Sequence, residues 1–274
     1  MNECVFIYRT YHQIAEEESL SKPFGPKQII VVGEFLQLRP VPGTFDDGDF
    51  VFRCELFQKA ISHRFELRTM MRQSLGDTLF INALKELRLG LCGQETKALL
   101  TSLNREIAGE SVHVYFTKLS VQMHNQEALF NVPGELLSFN AIDEGDVSGI
   151  SCPADVKLLL KPGVKVMVVW NVSDKVKNGT SGNFIAVRDE RLEVEIEGHG
   201  RLLLKRETWS KRNRAGQVVG SRKQFPIVLF FACTCHKTQG LTLPSAVIHC
   251  SKEFVPGLFM LLCHGFAEQR IYRS

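Results

Sequence analysis

Four short segments of this 274-residue chain carry the residue types that act on phosphates. In Gly33-Glu-Phe-Leu-Gln-Leu-Arg-Pro40, Glu34 and Gln37 follow directly on an apolar run. A carboxylate and an amide just beyond a strand can hold a metal-bound water or sense a phosphate; the plainer alternative is a turn in which both are solvated. Leu67-Arg-Thr-Met-Met-Arg-Gln73 sets Arg72 just ahead of a helical pattern. Backbone N–H groups and guanidinium donors converge on an anion at such a place, unless the helix end is merely solvated. Thr234-Cys-His-Lys-Thr-Gln-Gly240 is the richest of the four, because Thr234, His236 and Lys237 are donors and Gly240 lets backbone approach a phosphate closely. Lys177-Asn-Gly-Thr-Ser-Gly182, with Asn178 and Thr180, reads by itself as a tight turn.

These segments need strand ends and helix starts to hold them. Gln28-Ile-Ile-Val-Val-Gly33, four β-branched residues closed by glycine, predicts a strand buried on both faces, as in a parallel sheet. Leu75, Leu79, Ala83, Leu84 and Leu87 recur at helical spacing and stop at Gly90, which predicts a helix. Strand pattern returns over 164–170. Apolar and charged residues alternate over 191–197 before Gly198-His-Gly200, predicting a half-exposed hairpin with 201–205. Pro226-Ile-Val-Leu-Phe-Phe-Ala-Cys233 predicts one fully buried strand. The changes of pattern predict an α/β fold with a small β insertion over about 160–223. Asp143-Glu-Gly-Asp146 is an acidic loop that either divides units or lies on the surface.

Composition narrows the classes. With 44% hydrophobic residues the chain can bury a core, which excludes disorder over most of its length. The net charge of +3 does not support a uniformly basic coat, but it is unevenly spread. Between Lys205 and Lys223 seven cations, Lys211, Arg212 and Arg214 among them, face the single acid Glu207; that local +6 leaves about −3 for the rest. With Trp209 interleaved, the block suits phosphate contacts plus base stacking, or a solvated loop. Eight scattered cysteines read as thiols in a reducing compartment. Cys233, Cys235 and His236 lack the spacing of a structural zinc site, and a strand would turn His236 away from both thiols. No run is long and apolar enough to predict a membrane span, so a soluble, unsecreted protein is expected.

Taken in order, these segments resemble the later motifs of the petite-integration-frequency (PIF-type) DNA helicases of superfamily 1B. Residues 22–41 are similar to the family's stretch through motif III. That match implies that Gln37 senses the nucleotide's terminal phosphate, with Glu34 where the family usually has aspartate. Residues 67–73 resemble motif IV, implying that Arg72 contacts phosphate. Residues 159–167 and 177–182 resemble the approach to the family's small β-barrel. Ala232-Cys-Thr-Cys-His-Lys-Thr-Gln-Gly-Leu-Thr-Leu243 resembles the motif V region, implying DNA contacts near Thr234, His236 and Lys237 and a nucleotide near Gly240. The resemblance implies RecA-like parallel-sheet domains that bind ATP and Mg2+ and step 5′ to 3′ along single-stranded DNA, opening forked DNA in genome maintenance. The nucleus or another DNA-containing compartment would follow. It also suggests an end of a first RecA-like domain over 1–60, a second over 61–160 and 224–274, and the insertion over 161–223.

The chain departs from that pattern. It contains no GxxxxGK[ST] phosphate loop and no Gly-Lys dipeptide. Met1-Asn-Glu-Cys4 would supply Glu3 as general base and magnesium ligand by resemblance, but Asn2 stands where the family has aspartate. His264 and Gly265 stand where motif VI ends in Ser-Arg. An incomplete motor is therefore expected, inactive in isolation. The alternative is a catalytically dead DNA-binding fragment or a decayed copy derived from a mobile element.

Overall fold

A computed structural model describes residues 24, 28–33, 49–67, 78–103, 111–213, 215–238, 241, 243, 245–249 and, for backbone alone, 271–273. The chain divides into two compact units, one of residues 1–97 and 255–264, the other of residues 98–254 and 265–274.

In the first unit a 3-10 turn, Val51–Arg53, leads into helix α1 (Glu55–Ala60), which buries Phe57. Helix α2 (Thr78–Arg88) lies where the leucine spacing predicts one and buries Phe80, Ala83 and Leu84. It stops as expected, because Gly90 takes φ +72°. Gly90 N–H then donates to Leu87 O and Leu91 N–H to Glu86 O, closing the last carbonyls. Glu86 carboxylate accepts from Gly93 N–H and Thr96 hydroxyl, both at 2.7 Å, and so caps the start of helix α3 (Gln94–Ser102). Those two donors hold the Glu86 carboxyl below its ordinary range. The strand expected at Ile29–Val32 is corrected. Residues 28–33 carry no strand pairing, and Ile30 and Val32 are 77% and 85% exposed. β-branched composition favours a strand only where neighbours cover it, and none of the described residues does.

The second unit is built on a parallel sheet. Strand β1 (Val112–Tyr115) leads through Thr117, whose hydroxyl accepts from Ser120 N–H, into helix α4 (Lys118–Asn131). Eleven strands and a short helix follow before the last strands of that sheet. They are β2 (Leu137–Asn140), β3 (Ile142–Gly145), β4 (Lys157–Leu160), β5 (Lys165–Val168), β6 (Ser181–Arg188), β7 (Arg191–Ile196), β8 (Gly200–Leu204), β9 (Glu207–Arg212), β10 (Val218–Gln224), β11 (Ile227–Leu229), β12 (Ala232–Thr234) and helix α5 (Cys235–Thr238). Strands β13 (Ala246–Ile248) and β14 (Ile271–Arg273) complete the parallel order β12-β1-β13-β14.

From β2 to β11 every pairing is antiparallel. The predicted hairpin is β7 and β8, with Glu195 opposite Arg201. The five-stranded order β11-β5-β6-β7-β8 has no closing pair between its ends among the described residues. Its core is a single apolar cluster that includes Leu158, Val166, Phe184, Val194 and Ile227. Of the acidic segment at 143–146, residues 143–145 form the end of β3, paired with β10, and Asp146 follows just beyond it.

The single strand expected over 226–233 is corrected to two. Ile227–Leu229 pairs antiparallel with β5, whereas Ala232–Thr234 pairs parallel with β1. Both halves are buried, so apolar composition could not mark the break at Phe230 and Phe231. Among the described residues no helix is long and apolar enough to cross a membrane.

Candidate nucleic-acid interface

Where the run changes sheets, its outer edge would leave backbone groups unpaired. Asn125 of α4, only 8% exposed, fills that gap. Its amide nitrogen donates to Ala232 O at 3.1 Å and its oxygen accepts from Ala232 N–H at 2.7 Å. The amide thus acts as a further strand partner and fixes α4 against the start of β12. One residue of β12 later comes Thr234, followed by α5 with His236 and Lys237.

Lys161, buried in the link from β4 to β5, closes the other end of α4. Its ammonium donates to Phe130 O and Val132 O at 3.1 and 2.7 Å. Along α4, from Lys118 to Leu129, lies a cavity of about 680 Å³. Lys118 and Gln122 of α4, Lys157 of β4, and Thr234 and Lys237 line it, over a floor that includes Met167, Val228 and Phe230. Asp155 is the one carboxylate in the lining. Its backbone oxygen accepts from Gln224 Nε2 at 3.0 Å. Gln224 is fully buried, and the same nitrogen reaches Phe139 O and Val156 O, so the wall is tied to two further strands.

The surrounding protein sets the electrostatics. It draws the Lys237 ammonium below its ordinary range, an effect that Cys233 and Asp155 oppose and Lys118 reinforces. Loss of solvent around the carboxyl pushes Asp155 up, against the pull of Lys237. Burial takes the Cys233 thiol up to about 12. Three lysines on three elements converging on one opening are suited to phosphate oxygens, and the apolar floor to sugars or bases.

Thr234 and Lys237 therefore line one cavity. His236 is not in its lining; Cys235 Sγ lies 3.5 Å from its Nδ1, and it sits on a helix rather than on the strand assumed above. The segment 177–180 is the expected turn, closed by Thr180 N–H to Lys177 O at 3.0 Å. Asn178 N–H donates to Asn171 Oδ1, and Thr180 hydroxyl accepts from Lys177 N–H. Gly179 is required there, since its φ is +96° and a Cβ would lie 2.5 Å from Leu241 Cδ2. The turn that bears Asn178 and Thr180 thus packs just past the end of α5.

The basic block is less free than its composition suggests. Lys211 ammonium donates to Asp146 carboxylate and Ser148 O at 2.6 and 2.7 Å, and Arg222 pairs with both carboxylate oxygens of Asp143 at 2.7 Å. Arg212 donates to Gly216 O at 2.7 Å. Asp143 of β3 and Asp146 just beyond it thus pair with two of the seven cations of the block, one on β9 and one on β10. Trp209 is 8% exposed and meets Trp170 edge-on at 5.3 Å, which removes the stacking role expected of it. Glu3, Glu34, Gln37, Arg72, Arg214 and Gly240 lie outside the described residues. Lys118, Lys157 and Asp155 were not legible as site residues. Only Thr117, which starts α4 as a hydroxyl cap, hints at the first of them.

No family model matches the chain. ATP-dependent DNA helicase PIF1 of Rattus norvegicus is 32% identical over 258 residues, covering 86% of this chain and 39% of the relative. Its counterpart of Emericella nidulans is 27% identical over 301 residues, covering 86% of this chain and 40% of that protein. The chain thus spans about two-fifths of the length of these relatives. The crystal structure of Pif1 helicase from Candida albicans superposes with a TM-score of 0.81 at 25% identity, over 92% of this chain and 65% of that one. Pif1 from Bacteroides, in complex with ADP-AlF3 and ssDNA, gives 0.77 at 27% identity, over 99% and 67%. Motifs, parallel sheet and both comparisons agree over the part that is shared: the chain is homologous to PIF1 ATP-dependent DNA helicases over 86% of its length.

Proposed function

We propose that this chain is the DNA-gripping part of an ATP-dependent 5′ to 3′ DNA helicase, acting on single-stranded and forked DNA. The observation that supports this reading is the convergence of Thr234 and Lys237 with Lys118 and Lys157 on one cavity. Lysines that neutralise phosphates release counterions, so affinity should fall steeply with salt. The test is a salt titration of a fluorescent oligothymidylate by anisotropy. Lys237→Gln should weaken binding and flatten the slope of log affinity against log salt by about 0.7. An unchanged slope and affinity reject the reading.

ATP and Mg2+ enter through the family, a Bacteroides relative having been crystallised with ADP-AlF3 and ssDNA. Glu3, Glu34, Gln37, Arg72 and Gly240 are the residues assigned to nucleotide and metal; Asn178, Thr180, Thr234, His236, Lys237, Lys211, Arg212 and Arg214 are those assigned to DNA. With no GxxxxGK[ST] in the 274 residues, the groups present do not fit a complete triphosphate site. That lack favours a second reading, nucleotide-independent DNA binding. It requires that ATP leave the oligothymidylate affinity unchanged. The free thiols of Cys54, Cys92, Cys152, Cys233 and Cys235 fit a reducing compartment, and the PIF1 relatives, acting on DNA, support one that contains DNA.

A further inference from the structure

We propose that Asp155 is a resident counter-anion of the cavity, a carboxylate that competes with a bound phosphate for Lys237 and so sets how tightly the site holds DNA. The inference rests on the reading of this cavity as a single-strand DNA site. A cavity built only to hold phosphate has no use for a carboxylate in its wall, yet Asp155 stands there among Lys118, Lys157 and Lys237. Asp155 is exposed, but its backbone is anchored. Gln224, itself fully buried, grips its backbone oxygen at 3.0 Å and those of Phe139 and Val156 beside it, which holds the residue on the cavity wall. Asp155 closes no ion pair among the described residues, so its charge acts across the opening that a phosphate would enter.

The groups around it are Lys237 from α5, Lys118 from α4, Lys157 from β4 and Cys152 from its own loop. A phosphate arriving among them adds a like charge beside Asp155 and makes its ionised form still less favourable than desolvation already does. Binding is then linked to proton uptake. Affinity rises as pH falls through the Asp155 titration, because the bound state holds more protons than the free one. A neutral residue at the position should remove both the competition and that part of the pH dependence.

The experiment measures anisotropy of fluorescent oligothymidylate with the full chain at constant ionic strength, between about pH 5 and 8. Asp155→Asn should bind about fivefold more tightly near neutral pH, and its affinity should vary less with pH than that of the parent. Asp155→Glu, which keeps the charge, should restore the parent's affinity and profile. The histidines are common to all three proteins, so a difference between profiles belongs to position 155. Thermal melts check folding, and Asp155→Ser takes the place of an asparagine variant that melts early. If Lys237→Gln weakens binding while Asp155→Asn is unchanged or weaker, the inference is overturned and the cavity reading stands. If Lys237→Gln changes nothing, the cavity reading itself fails, and the inference with it.

Discussion

Asn125 shows how much one polar side chain can carry. It satisfies both the N–H and the C=O of Ala232, a residue 107 positions away in the chain. Asn125→Ala leaves two buried backbone groups without partners, and should lower stability by about 2–4 kcal/mol, read from the midpoint of a urea melt. Asn125→Asp should also be costly, since a carboxylate cannot donate to Ala232 O. Cys233 offers a chemical check on the same region. With its thiol pushed up to about 12 by burial, it should resist thiol reagents near pH 8 until the protein unfolds, whereas exposed Cys92 reacts at once. The sequence made Thr234 and Lys237 legible because they sit together with His236 in one dense polar segment. Asn125, Lys157 and Asp155 look like ordinary solvated residues in their own neighbourhoods. Only the packing of α4, the 152–157 stretch and β12 gives them a shared purpose.

Among the elements, β1, α4 and the segment after β13 meet in a stack of histidines. His113 and His249 rings lie 5.1 Å apart with Nδ1 and Nε2 at 2.8 Å, His124 stacks on His113 at 4.1 Å, and Tyr115 stacks on His249 at 4.1 Å. Burial, then the neighbouring imidazoles, lower His113 to about 4; His124 and His249 are lowered too, with Glu127 opposing at His124. Below an unfolded value of about 6.5 the unfolded chain binds more protons than the folded one, so stability rises with pH in this window. The melting temperature should therefore fall as pH drops from about 6.5 toward about 4, and His113→Gln should make that fall shallower. Elements were legible where their pattern had its own period and its own stop, as with α2 and Gly90 or the β7–β8 hairpin. They were not where composition was uniform. The 226–233 run hides two strands, and the β-branched residues at 29–32 form none.

For the whole molecule, homology to PIF1 helicases runs over 86% of the chain. The chain spans about two-fifths of the relatives PIF1 of Rattus norvegicus and Emericella nidulans. If the phosphate-loop function is not supplied from elsewhere, phosphate release from ATP by this chain should be at least about a thousandfold below a working helicase, with or without oligothymidylate. Turnover at an ordinary helicase rate would require a nucleotide site that the motif reading does not contain. DNA binding, in contrast, should survive in the chain as it stands. The strand that changes sheets gives that binding a mechanical side. Only Phe230 and Phe231 separate β11 from β12; Phe230 is 1% exposed, and its N–H donates to Lys165 O. A joint so short and so firmly seated has no slack. A pull on the antiparallel sheet passes along the backbone to Thr234 and Lys237 instead of being absorbed by a loop, so load on one layer is felt in the other.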